Sequence, residues 1–415
     1  MKNLVILGAG TAGTMMANHL VKKLNKKDWQ ITLVDQFKSH YYQPGFLFIP
    51  FGTYQPEDVK RTIDEFLPKG IQLIREKIDR IDKDTDTVIL ESGRNVKYDI
   101  LIIATGCKIA PEEVPGMKGD TWQKNIFDFY TFEGSCALAK KLETWSGGKL
   151  VVHITEMPIK CPVAPLEFAF LADDYFTKKG MRDKVEISYV TPLSGAFTKE
   201  KCTKALEYLL KDKNIKIVPD FAVEHIEGEN GKMFDYGGEV VDFDLLVTVP
   251  TNMGDECILR SGFGDDLNYV PTDKNTLQSK VKENIFVIGD ATNVPASKAG
   301  SVAHFEAEIL TENILKYIEG KPLNPKFDGH ANCFIETGKG KALLIDFNYD
   351  VEPLKGKFPF AGIGPLNLLE ESAFNHFGKM AFKWVYWNML LPARKIPFVT
   401  PTMSRAGKKF DEVEG

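Results

Sequence analysis

Short apolar runs that end in small residues alternate with longer amphipathic stretches along most of this chain, as strands buried on both faces and joined by crossover helices do. Leu4 to Leu7, WQITLVDQ, YDILIIATG at 98–106, KLVVHIT at 149–155, KVEISYVTP, IKIVPDF, FDLLVTVP at 243–250 and NIFVIGDATN at 284–293 are the strand candidates. Helices are expected after the first strand, over about 165–179 and in KEKCTKALEYLLKD. FDLLVTVP echoes YDILIIATG, and that echo predicts a duplicated fold. The expected class is α/β with two Rossmann-like units. The first, residues 1–110, is interrupted by a second, residues 111–274, and resumes over 275–325. Residues 326–415 form a C-terminal region with hairpin character around Gly338 and Gly340. There Leu366, Leu369, Ala373, Phe377, Met380, Trp384, Trp387 and Leu391 recur at helical spacing, predicting an apolar stripe with Lys379, Lys383, Arg394 and Lys395 on a basic side. Such a stripe suits either a core-facing helix or one lying in a membrane interface.

Charge and cysteine usage narrow the partners. A net charge of −5 lacks the concentrated basic face that nucleic acid requires. Six widely spaced cysteines, at 107, 136, 161, 202, 257 and 333, argue against a disulfide-stapled secreted scaffold and leave thiols free for chemistry. Scattered histidines suggest no metal. The N-terminal apolar run leads straight into glycines and reads as a strand, not a signal peptide. No apolar run is long enough to span a bilayer.

Gly8, Gly10 and Gly13 form G-x-G-x-x-G between a strand and a helix, with Asp35 placed 22 residues past Gly13 to meet a ribose. The small-residue turn at Thr105 and Gly106, and Gly289–Asp290 after a later strand, complete a pattern that resembles the FAD site of the flavoprotein disulfide reductase superfamily. That likeness implies FAD, with Asp290 on its ribityl chain. The corresponding turn of the second unit, HITEMPIKCPVAP, carries three prolines and no glycine. Proline removes N–H donors and blocks close backbone approach, so NAD(P)H is not expected there. Cys161, beside Lys160 and ahead of a helix carrying Glu167, is expected to have a lowered thiol pKa.

IKCPVAPLE, IGDATNVPASKAG and ANCFIETGKGKA, followed by the aromatic tail, together resemble the sulfide:quinone oxidoreductases over essentially the whole chain. The resemblance implies that Cys161 and Cys333 form the redox centre, opened by sulfide to a persulfide and a thiolate whose electrons pass to FAD. A third family cysteine is replaced by Phe127 in the best-aligned segment, with Cys107 and Cys136 as weak substitutes. Glu167 becomes a candidate base, against an ordinary first-turn acid. Lys298 becomes a candidate charge at the flavin's pyrimidine edge, against a solvated lysine. Tyr42 and Pro44 would lie near the isoalloxazine, and Phe334, with Phe358, Phe360 and Phe382, would meet a membrane quinone. A monotopic protein on the cytoplasmic face of a membrane is implied, with a sulfur acceptor such as sulfide, polysulfide or a small thiol, and a possible homo-oligomer. The alternatives are a type II NADH:quinone oxidoreductase, a soluble flavocytochrome-type sulfide dehydrogenase subunit, and a non-catalytic membrane-docking redox sensor.

Overall fold

A computed structural model describes residues 1–410. Two five-stranded parallel sheets carry the fold, and four strands follow the same order in both, the fifth coming from the end of the first unit's chain but from the start of the second's. In the first, Lys2–Leu7 is flanked by Trp29–Val34 and then Ile71–Ile74 on one side, and by Ile100–Ile103 and then Ile285–Val287 on the other. In the second, Gly148–Ile154 takes the place of the first strand, with Val185–Val190 and Ile215–Val218 on one side, and Leu245–Val249 and Ile126–Phe127 on the other. Each unit also carries a three-stranded antiparallel ribbon, over 78–97 and 223–242. The sequence echo is therefore a structural one: YDILIIATG and FDLLVTVP supply the strands lying beside the first strand of each sheet. All four residues of Ile100–Ile103 and all five of Leu245–Val249 are buried, which is why these strands read as unbroken apolar runs.

His153, on the leading strand of the second sheet, is fully buried with Nδ1 2.9 Å from Thr248 Oγ1, and burial pushes its pKa down to about 3. A depressed pKa means that the unfolded chain takes up this proton first, so the stability present above about pH 6.5 is lost as pH falls toward 3. Relative to His153→Asn, the wild type is expected to lose about 1.4 kcal/mol per pH unit across that window, read as the difference in urea midpoints.

The C-terminal region is a four-stranded sheet, Ala331–Gly338, Lys341–Phe347, Gly364–Leu368 and Gly356–Phe360 in spatial order, covered by the helix Ala373–Val385. The single helix expected from Leu366 onward is a strand, a break and then a helix. Leu366 lies in Gly364–Leu368, and the helix starts only where the Ser372 hydroxyl accepts the Asn375 N–H. Its orientation also differs from that of a core-facing helix. Asn375 and Lys379 face the protein, while Phe374, Phe377 and Trp384 are 62%, 72% and 62% exposed. Beyond it, a wider π-turn over Tyr386–Leu390 buries Tyr386, Trp387 and Leu390. Among the described residues, no helix is long and apolar enough to cross a membrane.

Candidate active site

The glycine motif adopts the geometry that its spacing demands. A Cβ at Gly13 would lie 1.8 Å from the Gly8 carbonyl oxygen, so only glycine lets this helix meet the strand's end. Gly8, at φ +93°, brings its own backbone against Ala104. At Gly10 and Gly106 an added Cβ would meet nothing within 4 Å, so the two loops line an open cradle. Thr105 adds a buried hydroxyl that has no partner within the protein. The Asp35 carboxylate accepts the Ala9 N–H at 2.6 Å and the Phe37 N–H at 2.7 Å, and burial pushes its pKa up. Asp35 thus holds the loop itself, with lone pairs left over for a ribose.

Across the cleft, the Gly289 N–H is accepted by Glu306 Oε2 at 2.7 Å, which fixes the turn that carries Asp290. Glu306 is 2% exposed, and burial pushes its carboxyl up to about 7. Lys298 is not a solvated lysine at a helix start; the helix begins at Gly300. Lys298 is 6% exposed, and its Nζ donates to the carbonyls of Asp290 (3.0 Å) and Thr292 (2.6 Å) and lies 4.0 Å from the centre of the Tyr269 ring. Cys107 Sγ is 4.0 Å from Asp290 Oδ2, and burial pushes this thiol up to about 12.

The second unit's loop is bonded both to the first unit and within its own. The Cys161 N–H donates to the Lys298 carbonyl at 2.7 Å, and the Lys160 N–H to Asn252 Oδ1 at 3.0 Å. Backbone donors that a second pyrophosphate would need are spent inside the protein. Cys161 sits at φ +44°, a conformation few non-glycine residues adopt, with its carbonyl accepting from Ala164 N–H and Tyr130 O–H. The expected low thiol pKa is not found. Cys161 keeps some accessible surface yet lies deep among protein atoms, and burial pushes its thiol up to about 12, with Glu167 adding to the rise and Lys379 opposing it. Cys161 precedes the helix Ala164–Lys178 without capping it, and the lowering from the Ala164 N–H at the helix start is outweighed by burial.

Cys333 comes from Ala331–Gly338 and is likewise raised, first by burial and then by the neighbouring Cys161. The fold thus joins two cysteines from distant parts of the chain, both free thiols in this structure. Beneath them lies an ion pair that the sequence reading missed. Glu167, wholly buried, accepts from Lys379 Nζ at 2.7 Å and from the Glu336 N–H at 2.8 Å, while its other oxygen has no protein partner. Burial pushes the Glu167 pKa up, and its carboxylate lifts Lys379 to about 12. Lys379 Nζ also donates to the Phe334 carbonyl at 3.0 Å, and the Glu336 carboxylate is 2.9 Å from His376 Nδ1. Lys379, expected on a basic side of the stripe, is buried instead. Its spacing of four from Asn375, the other inward polar residue, was the available signal.

Of the aromatics, Phe334 packs on the helix, where a Cβ added to Gly378 would lie 2.8 Å from its ring. Phe382 and the buried Tyr42 have ring centres 6.4 Å apart, and Pro44 opens the turn that follows Tyr42. Phe358 and Phe360 belong instead to the Gly356–Phe360 strand, where Phe360 is half exposed and 5.1 Å from the Phe398 ring. Phe358 is paired with Leu366 in that sheet.

Comparison with known proteins shows what this arrangement resembles. Residues 2–152 match the family model described as pyridine nucleotide-disulphide oxidoreductase. A mitochondrial sulfide:quinone oxidoreductase of Dictyostelium discoideum is 27% identical over 94% of this chain and 86% of its own length. The chain is similar to sulfide:quinone oxidoreductases over nearly its whole length. The crystal structure of the sulfide:quinone oxidoreductase of Aquifex aeolicus shares the fold, with a TM-score of 0.77 and 24% identity over 94% of this chain and 92% of that one. A type II NADH:quinone oxidoreductase of Staphylococcus aureus is more distant, 23% identical over 86% of the chain and 92% of its length. Sulfide:quinone oxidoreductases are FAD-binding flavoproteins, and the cradle between Gly10, Gly106 and Asp290 fits a dinucleotide.

Proposed function

We propose that this protein oxidises sulfide at Cys161 and Cys333 and passes two electrons through FAD to a membrane quinone. The observation that carries this reading is the loop at Cys161, which spends its backbone donors on Lys298 and Asn252 and presents a thiol where a nicotinamide nucleotide would bind. In the oxidised pair a disulfide joins the two sulfurs. Hydrosulfide attacks one of them, forming a persulfide there and releasing the other as a thiolate, so the S–S bond is exchanged without net loss of electrons. FAD, when bound, supplies the two-electron acceptor for the sulfur pair and the donor for the quinone.

The raised thiol pKa values shape the protein's own part. A buried thiolate is costly here, so Lys379 offsets its charge, and the partnerless oxygen of Glu167 can hold the proton that hydrosulfide or a thiol gives up. A second sulfide, a polysulfide or a small thiol then attacks the persulfide and carries away the sulfane sulfur. We assign the quinone to the side bounded by Tyr42, Phe334 and Phe382. The exposed Phe374, Phe377 and Trp384 would rest in the lipid interface, making the protein monotopic. We further infer the division 1–110 with 275–325 for FAD, 111–274 for the second unit and 326–415 for the quinone side.

The test is direct. Anaerobic sulfide is expected to bleach the flavin absorbance within seconds, while NADH at the same concentration leaves it unchanged over minutes. Bleaching by NADH at a comparable rate would return the assignment to the NADH:quinone alternative.

A further inference from the structure

Three side chains tie the glycine loop of the cofactor cradle to the far C-terminal segment. His40 is 3% exposed, with Nδ1 3.2 Å from the Ala9 carbonyl oxygen and Nε2 2.7 Å from the Tyr386 hydroxyl. Tyr386, 1% exposed, has the same hydroxyl 2.6 Å from Thr11 Oγ1 and 3.5 Å from the Tyr41 carbonyl. Ala9 and Thr11 flank Gly10, the position where the cradle is open.

Burial lowers the His40 pKa to about 4, so the ring is neutral, and the 2.7 Å contact with Nε2 takes the Tyr386 hydrogen in preference to the 3.5 Å contact with the Tyr41 carbonyl. A carbonyl only accepts, so Nδ1 carries the hydrogen and the neutral ring leaves Nε2 bare. Nε2 therefore accepts from the Tyr386 hydroxyl, whose oxygen is left to accept from the Thr11 hydroxyl. The order runs from Thr11 to Tyr386 to His40 to the Ala9 carbonyl, with no charge on any member. Tyr386 closes this loop from 375 residues away in sequence.

The segment that delivers Tyr386 is clamped on the same side. Trp387 stacks on Phe66 with ring centres 5.0 Å apart, under the Arg61 guanidinium at 4.9 Å. Lys22, just beyond the helix that starts at Thr11, donates from Nζ to the carbonyls of Pro392 (2.7 Å) and Ala393 (2.9 Å).

We propose that Tyr386 is a positioning residue for the cofactor's phosphates, and that FAD retention and docking of the C-terminal segment are therefore one coupled equilibrium. By orienting Thr11 and the Ala9 carbonyl, it fixes the loop at Gly10 in the conformation that receives a pyrophosphate. Linkage makes the coupling mutual: FAD in its cradle holds the segment down, as the segment holds the loop. The inference rests on FAD as the occupant and not on the electron donor, so it stands or falls apart from the sulfide reading.

The test uses the purified holoprotein and follows release of FAD by the rise in its fluorescence after dilution into chaotropic salt. Tyr386→Phe is expected to release FAD at least tenfold faster, and Thr11→Val comparably. The double variant should be no faster than either single one, because both break the same chain. Asn388→Ala, whose side chain bonds only the Trp384 carbonyl on the same turn, should release FAD at the wild-type rate. In the reciprocal arm, trypsin should cut at the exposed Arg394 and Lys395 several-fold faster in FAD-stripped protein than in holoprotein. Unchanged release in both single variants, additive effects in the double, or equal tryptic rates would overturn the proposal. If Tyr386→Phe does not fold, Thr11→Val and the wild-type proteolysis arm decide it.

Discussion

Replacing Cys161 by serine is expected to slow sulfide-driven bleaching of the flavin by a factor of at least about a thousand, with FAD still bound in full. Serine keeps the shape of the side chain but can form neither a disulfide with Cys333 nor a persulfide, so the sulfur-exchange step is lost altogether. The substitution leaves Gly10, Gly106 and Asp290 in place, which is why cofactor content should not change. Cys333→Ser should behave alike, since each sulfur is the other's only partner in that step. Pre-steady-state absorbance under nitrogen measures the rate, and the protein-bound flavin spectrum before mixing measures the content. Bleaching by sulfide at an undiminished rate in both variants would remove the pair from the mechanism.

The second large effect is on stability. Lys379→Met is expected to lower stability by about 3–5 kcal/mol, because it leaves the wholly buried Glu167 carboxylate without its cation. The deficit should shrink in acid, for the sign is that of a raised carboxyl pKa: a neutral Glu167 is tolerated, and the loss appears as pH rises through its folded value. Glu167→Gln combined with Lys379→Met should recover more than half of the loss at pH 7. Urea midpoints of the two variants across pH 5 to 8 check both statements. A single variant as stable as the wild type at pH 8 would mean the pair carries no such burden.

The parts of this molecule that were legible in the sequence are those where one residue type is sterically compelled. Gly8 and Gly13 were readable because a methyl group collides with backbone in either place, and the buried strands were readable because both faces are covered. The prolines at 158, 162 and 165 likewise announced that the second loop is no phosphate cradle. What escaped was set by the tertiary environment. Lys160 and a nearby helix suggested an activated Cys161, but burial outweighs both and raises the thiol. Lys379 read as surface charge because its partner, Glu167, is 212 residues away. The tail read as one helix because Leu366 and Leu369 happen to fall in phase with Phe377 and Trp384. Pro365 and the cap at Ser372 were the local signals of a break.

The hydrogen bond from Cys161 to the Lys298 carbonyl has a consequence for the placing of the sulfur. It sews the leading loop of the second sheet to the segment that Lys298 ties to the Asp290 turn, so the two cannot part there as a hinge without giving up that bond. The sulfur of Cys161 is thereby carried on a loop anchored on both sides, by the Lys298 carbonyl before it and by the Ala164 N–H after it. The stitching thus keeps the position of this sulfur relative to the Asp290 turn from depending on the packing of the rest of the second sheet.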